Sequence, residues 1–313
     1  MGLFIFDPLT GEPTILATNR AMRHDQTGAV AGDTGKITKQ IPADTQPACF
    51  FCKGQETFTP STLYCDADDW QVRVFQNKFP LLPDHEIVVH SPDHIKDMED
   101  FSHAQNVKII RAYLNRVSYF GTQDKEVLIF NNKGGRAGAS VVHPHSQIVA
   151  AKGFPGILEK EKESALHYNN EKNACYWCDE VKEALDTQDR IIHESAHFVV
   201  FSPKACRWSY EMVLVPKKHK PNFGFIDEVE INDLAAVLPG ALLTYRDCFN
   251  NPDRNFWVHT MRYEPFHWHI GFIPHIKVFG ALELGAGIWV SDKATPEDAA
   301  QQLKVHFPTG SIT

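Results

Sequence analysis

Apolar, β-branched runs and apolar residues at helical spacing divide this chain into short strands and two long helices. The run Val141-Val142-His143-Pro144-His145-Ser146-Gln147-Ile148-Val149-Ala150 is bracketed by β-branched residues and reads as one buried strand. Alternate residues on a strand share a face, so His143, His145 and Gln147 are expected to point together. Further strands are expected at 70–76, 86–90, 126–131, 198–201 and 211–215. Helical spacing appears at 101–119, where Val107, Ile110, Ala112, Leu114, Val117 and Tyr119 are the apolar positions, and again at 228–247. At 158–172 the charged run Glu159, Lys160, Glu161, Lys162, Glu163 reads as a solvated helix. Residues 25–47, rich in Gly, Asp, Thr and Pro, read as a long loop.

Two stretches repeat. Cys49-Phe50-Phe51-Cys52 is followed 42 positions after Cys52 by His94, and 49 further on by His143. Cys175-Tyr176-Trp177-Cys178 is followed 41 positions after Cys178 by His219, and 48 further on by His267. In both halves the last histidine opens a His-x-His pair, and such self-similarity outranks local assignments. Each set offers two thiols and two imidazoles, the ligand set of a tetrahedral structural zinc site. Two zinc ions per chain are therefore expected, one at Cys49, Cys52, His94 and His143, the other at Cys175, Cys178, His219 and His267. A thioredoxin-like use is disfavoured, because neither pair is expected to open a helix inside a βαβ unit. Cys65, Cys206 and Cys248 are left over and read as small buried apolar residues. The fold class expected is α+β: two fused, pseudo-symmetric halves at 1–165 and 166–313, with mostly antiparallel sheets and one long helix each.

Composition narrows the setting. A net charge of −8 argues against nonspecific nucleic-acid binding. No apolar stretch reaches the length of a membrane-spanning helix, and the opening residues do not read as a signal peptide. No membrane association is expected, and a cytoplasmic location is the default expectation.

The repeat separates scaffold from chemistry. With His143 committed to metal, His145 remains on the same strand, and an unprotonated imidazole is a competent nucleophile toward phosphorus. Gln147, on the same face, can donate to a phosphate oxygen. The approach at 130–140, with Gly134, Gly135 and Gly138, suits a backbone that comes close to phosphate. Asn132, Lys133 and Ser140 lie on that approach and are candidates for a second phosphate. Arg20 and Arg23 form a basic corner able to pair with phosphate. In the second half His269 stands where His145 does, but Gly271 replaces Gln147. One competent site and one degenerate half are expected.

The pattern Phe130-x-Asn132-Lys133-Gly134…Gly138-x-Ser140…His143-Pro144-His145-Ser146-Gln147 closely resembles the signature of the galactose-1-phosphate uridylyltransferase family, within the histidine-triad superfamily. Asp7-Pro8-Leu9-Thr10-Gly11-Glu12, Arg20-Ala21-Met22-Arg23, Asn77-Lys78-Phe79, Ser91-Pro92-Asp93-His94 and Glu283-Leu284-Gly285-Ala286-Gly287-Ile288 match in order, so the resemblance spans nearly the whole chain. It implies two histidine-triad-like halves, a homodimer, and ping-pong transfer of a nucleoside monophosphate through His145, with Gln147 holding the nucleotidyl phosphate. It further implies nucleotide contacts from Arg20, Arg23, Asn77, Phe79, Asn132, Gly138 and Ser140, and hexose-facing roles for Phe279 and Glu283. The implied reaction converts UDP-glucose and galactose 1-phosphate into glucose 1-phosphate and UDP-galactose. Asn131 stands where many members have Glu, and His24 follows Arg23 where they have Pro; both bear on base and donor identity. The second Cys-x-x-Cys resembles the two-zinc members, among them the ADP-glucose phosphorylases, which pass the nucleotidyl group to phosphate. A dinucleoside polyphosphate phosphorylase, a histidine-triad hydrolase and a zinc-stabilised nucleotide-binding module without turnover are the remaining alternatives.

Overall fold

The computed structural model describes residues 2–22, 49–94 and 96–309; Arg23 and the loop expected at 25–47 lie outside the described residues. A hairpin of β1 (Leu3–Phe6) and β2 (Pro13–Leu16) stands apart. The remaining strands build one antiparallel sheet. They are β3 (Thr62–Cys65), β4 (Arg73–Gln76), β5 (Asp84–Val89), β6 (Glu126–Lys133) and β7 (His145–Ala151), then β8 (Ile191–Glu194), β9 (Phe198–Phe201), β10 (Met212–Pro216), β11 (Arg254–Thr260) and β12 (His269–Pro274). Their order is β3-β4-β5-β7-β6-β11-β12-β10-β9-β8.

That order reads the same from either edge once β3–β7 are matched with β8–β12. The fold is thus α+β with two fused, pseudo-symmetric halves, joined by β6 and β11 into one sheet rather than separate ones. Phe130 faces Trp257 across this seam. Within each half, Phe130 lies opposite Gln147 and Trp257 lies opposite Gly271. The pseudo-twofold axis therefore passes between Phe130 and Trp257.

The strand alternation divides the sheet into two faces. Val127, Ile129, Ile148, Ala150, Phe256, Val258, Ile270 and Phe272 join the main core. Against this face pack the two long helices, α1 (His103–Gly121) and α4 (Glu228–Phe249). Ser102 caps α1 by accepting from the Gln105 amide, and Asp227 with Glu230 forms a capping box at the start of α4. From α1, Ile109, Ile110, Tyr113, Val117 and Phe120 point inward at three- and four-residue spacing; from α4, Ile231, Leu234, Leu238, Ala241, Leu242 and Tyr245 do so. The opposite face carries His145, Gln147 and the candidate chemistry.

Shorter helices complete the chain: α2 (Ile157–Lys172), α3 (Tyr176–Thr187), α5 (Ala281–Ala286) and α6 (Pro296–His306). Two expectations need correction. The strand expected over 141–150 begins at His145, because Pro144 has no N–H to extend the ladder. Alternation therefore holds for His145 and Gln147, while His143 sits before the strand. As expected, neither cysteine pair opens a helix inside a βαβ unit: Cys175 caps α3, but the sheet pairs around it are antiparallel. Cys65 is exposed, and Cys206 and Cys248 are only partly buried.

Charged side chains also cross the seam. Arg254 on β11 is 1% exposed and donates to Glu99 at 2.6 Å, which also accepts from Lys133 at 2.8 Å. Burial pushes the Glu99 carboxyl up, but Arg254 and Lys133 outweigh it and hold the group at about 2. Removing one partner of a buried pair leaves the other uncompensated, so Arg254→Ala is expected to lose about 3–5 kcal/mol in denaturant melts. Because the folded value of Glu99 lies below its ordinary 4.5, the stabilisation is full above that value and is lost as pH falls toward about 2. The gap between wild type and Arg254→Ala should therefore narrow across that window. An unchanged gap would show that the pair does not support the seam.

Candidate active site

His145 is oriented by its own backbone. Its Nδ1 lies 2.8 Å from the carbonyl oxygen of His143, and a carbonyl can only accept. Nδ1 therefore carries the proton and Nε2 is the unprotonated nitrogen. The ring of Phe51 meets His145 edge-on at 5.3 Å between centroids.

His143 is held in turn by its surroundings. Its Nε2 donates to the carbonyl of Ser91 at 2.8 Å, leaving Nδ1 as a lone-pair donor. That nitrogen lies 3.6 Å from Cys49 Sγ, 3.7 Å from Cys52 Sγ and 3.3 Å from His94 Nδ1; Cys52 and His94 are 3.4 Å apart. Zinc bonds of about 2.3 Å to sulfur and about 2.0 Å to nitrogen give tetrahedral edges of about 3.3 Å between nitrogens and about 3.5 Å between sulfur and nitrogen. The four side chains fit such an ion. Burial also holds the His143 imidazole down at about 4, which keeps it neutral as a ligand must be.

The second set shows the same geometry. Cys175 and Cys178 lie 3.8 and 3.6 Å from His267 Nδ1, and Cys178 lies 3.5 Å from His219 Nδ1. His219 Nε2 donates to the carbonyl of Glu264 at 2.9 Å, again turning Nδ1 inward. All eight residues expected to ligate metal are thus gathered into two groups of four, each with its ligand atoms within 4.8 Å.

On one side of His145 opens a cavity of about 210 Å³ lined by Arg20, Asn77, Phe79, Gly138, Ser140 and Gln147, with Phe51 and Phe75 supplying apolar walls. Arg20 donates to the carbonyl of Phe79 at 2.9 Å and fixes that corner. On the other side, Asn132 and Lys133 line a cleft of about 480 Å³ together with His143 and His145. The Lys133 ammonium is engaged by Glu99 and Asp97. Asn132 accepts from Asn255 at 2.8 Å. Gly134 has φ +87°, and a Cβ there would lie 2.0 Å from Asp253 Oδ1, so this turn admits only glycine. Asp253 also accepts from the Arg136 amide at 2.6 Å and so anchors the glycine-rich approach to the second half. Phe279 and Glu283 line neither cavity: Phe279 packs against Trp208 and Trp289, and Glu283 pairs with Lys277 at 3.2 Å.

The second half reuses the frame without the site. His269 Nδ1 donates to the carbonyl of His267 at 3.0 Å, matching His145 and His143. Trp257 lies over Gly271, where a Cβ would sit 2.6 Å from the indole. The expected degenerate copy is therefore filled as well as stripped of its glutamine. Glu161, expected on a solvated helix face, instead turns inward. Its carboxylate lies 2.7 Å from His259 Nδ1 and 3.8 Å from His269 Nε2, a third group able to hold a metal. His85, just before the strand expected at 86–90, was not among the expected site residues, yet it lies on β5 and contacts Gln147 at 2.9 Å. A histidine directly ahead of an apolar strand was the available signal.

Family models agree with this geometry. The model for the galactose-1-phosphate uridyl transferase N-terminal domain matches residues 83–155, and that for its C-terminal domain matches 161–307. An ADP-glucose phosphorylase of Arabidopsis thaliana is 26% identical over 95% of this chain and 91% of its own length. A galactose-1-phosphate uridylyltransferase of Thermotoga maritima is 28% identical over 70% of this chain and 73% of its own length. The crystal structure of an ADP-glucose phosphorylase from Arabidopsis thaliana with bound ADP-glucose superposes with TM-score 0.76 at 25% identity, covering 97% and 99% of the two chains. With both domains matched in order over most of the chain, the protein belongs to the galactose-1-phosphate uridyl transferase family.

Proposed function

We propose that this nucleotidyltransferase works through a nucleotidyl–His145 intermediate, with a nucleotide sugar as donor. The observation that carries the reading is the hydrogen bond from His145 Nδ1 to the His143 carbonyl, which leaves Nε2 basic at the mouth of the cavity. In the first half-reaction Nε2 attacks the α-phosphorus, a P–N bond forms, and the P–O bond to the sugar phosphate breaks. The sugar 1-phosphate leaves with the bonding electron pair. In the second, a phosphate oxygen of the acceptor attacks phosphorus and the P–N bond breaks, returning His145 to its starting tautomer. The His143 carbonyl faces the cationic charge that His145 carries while phosphorylated at Nε2. Gln147 donates to a non-bridging oxygen, while Arg20, Asn77, Phe79, Gly138 and Ser140 enclose the nucleotide. Asn132 and Lys133 face the other side of His145, where the second phosphate is expected.

We read the donor and acceptor as UDP-glucose and a hexose 1-phosphate, which the family and the uridylyltransferase relatives support. ADP-glucose with phosphate as acceptor is the second reading, favoured by the near full-length match to an ADP-glucose phosphorylase and by the second cysteine–histidine group. Zinc at both groups is part of the proposal: bound there, it supplies fixed positive charge and rigid ligand geometry rather than a reacting bond. A homodimer is also proposed. The segment bearing Phe279 and Glu283 exposes Val278, Leu282, Leu284 and Ile288, an apolar surface suited to a second copy. No helix among the described residues is long and apolar enough to cross a membrane, and we place the enzyme in the cytoplasm. The halves are taken to divide near 165/166, within α2.

Labelled UDP-glucose should leave uridylate on the protein, and His145→Ala should abolish it; a variant that still labels would show the nucleophile is misassigned. Crossing UDP- and ADP-sugars with hexose phosphates and inorganic phosphate should give turnover for UDP-glucose with galactose 1-phosphate. Turnover confined to ADP-glucose with phosphate would establish the second reading. Elemental analysis should find about two zinc ions per chain, the number set by two four-ligand sites. Cys52→Ser and Cys178→Ser should each remove one, and metal-free protein after gentle purification would refute the assignment.

A further inference from the structure

His85, on β5, is fully buried in contact with Gln147 of the cavity wall and has no place in the mechanism above. Its two nitrogens are distinguished by their neighbours. The backbone N–H of Leu81 points at Nδ1 from 2.9 Å, and an amide can only donate, so Nδ1 holds the lone pair. Nε2 then carries the proton and lies 2.9 Å from Gln147 Oε1, which can only accept. Asn77 Nδ2 lies 3.2 Å from the same nitrogen, but both are donors; the Asn77 side chain is fixed elsewhere, its Oδ1 accepting from the Phe79 amide at 2.8 Å. The Gln147 carbonyl is thereby pinned toward His85, and its NH2 group is turned the other way, toward the cavity.

We infer that His85 is a positioning residue that selects the amide orientation of Gln147, so that Gln147 presents N–H rather than oxygen to the nucleotidyl phosphate. The alternative orientation would set an amide oxygen against an anionic phosphate, which is repulsive where the present one is attractive. Burial holds the His85 imidazole down at about 4, so the ring stays neutral in ordinary buffers and keeps its lone pair for Leu81.

The second half supplies an independent comparison. Pairing of β5 with β7 sets Ile87 opposite Gln147, and pairing of β10 with β12 sets Val213 opposite Gly271. Two residues before each of these, His85 corresponds to Glu211. Both members of the pair are therefore absent together where no nucleophile operates. Glu211 serves a different purpose, accepting from the Arg207 amide at 2.7 Å and from the Trp208 amide at 3.4 Å. A histidine kept only to fill the core would have no reason to vanish with the glutamine it touches.

The inference rests on the reading of His145 as nucleophile, and its test separates the two. Rapid-quench measurement of nucleotidyl–enzyme formation would be made on the full chain with UDP-glucose and with ADP-glucose, beside thermal melts of each variant. His85→Asn keeps an acceptor for Leu81 but loses the donor to Gln147, whereas His85→Gln keeps a donor near the Nε2 position. Gln147→Ala and His85→Asn should each slow the covalent step by about 10²-fold, the loss typical of one donor to a developing oxyanion. The double variant should be no slower than Gln147→Ala, because His85 acts only through that side chain. His85→Gln should recover most of the rate lost in His85→Asn. Multiplying losses in the double variant, a wild-type rate in His85→Asn, or equal losses in both His85 variants would overturn the positioning role while leaving the nucleophile in place. Absence of labelling in the wild-type protein with either donor would overturn both.

Discussion

The hydrogen bond from His145 Nδ1 to the His143 carbonyl is the contact on which the arrangement depends. Two residues separate the nitrogen from the carbonyl in sequence, so the bond forms only if the backbone at Pro144 holds one shape. Pro144 restricts that backbone by fixing its own φ. The cysteine–histidine group restricts it further, since His143 is tied at both ring nitrogens, by Ser91 on one side and by Cys49, Cys52 and His94 on the other. The cysteine–histidine group thereby helps set the tautomer of the neighbouring His145 imidazole. The same bond recurs between His269 and His267, which shows it to be a property of the shared frame rather than of the reaction.

Behind β7 the two halves are not merely side by side. Asn131 donates to the His145 carbonyl at 2.7 Å and accepts from Arg254, which belongs to the second half and is neutralised by Glu99 from the first. The family resemblance implies glutamate where Asn131 stands. An amide serves here because one end must donate to a carbonyl while the other meets a guanidinium. A carboxylate could satisfy Arg254 but would face the His145 oxygen with negative charge. The departure is thus compatible with the local geometry of β7.

Much of this was legible in the chain before the fold was known. The long helices at 101–119 and 228–247 came from apolar spacing and lie within two residues of α1 and α4 at each end. The two cysteine–histidine groups followed from matched intervals, which survive folding because equivalent strands return to equivalent places. Other features could not be read in this way. Glu161 sits in a charged run whose composition favours solvent, and only the closeness of β11 and β12 to α2 turns it inward. His85 carries no motif; its role needs the register of β5 against β7. The start of β7 was misjudged because alternation ignores the missing N–H of Pro144. Asn132 and Lys133, candidates from the glycine-rich approach, share a cleft with His145 because β6 and β7 are neighbours in the sheet.

The two halves differ most at the axis between them. Each half keeps a copy of the His-x-His frame, and the axis between Phe130 and Trp257 brings both onto one continuous face. At that axis there is room for one large ring to lie over the partner strand. Trp257 does so on Gly271, while in the first half Gln147 keeps its side chain and Phe130 packs toward His85 with ring centroids 6.3 Å apart. Restoring a side chain at Gly271 would require the indole to leave, and with it the packing of Trp257 against Trp208. Loss of the glutamine and gain of the aromatic cluster are therefore one structural change, and the second half buttresses the seam while the first keeps the cavity.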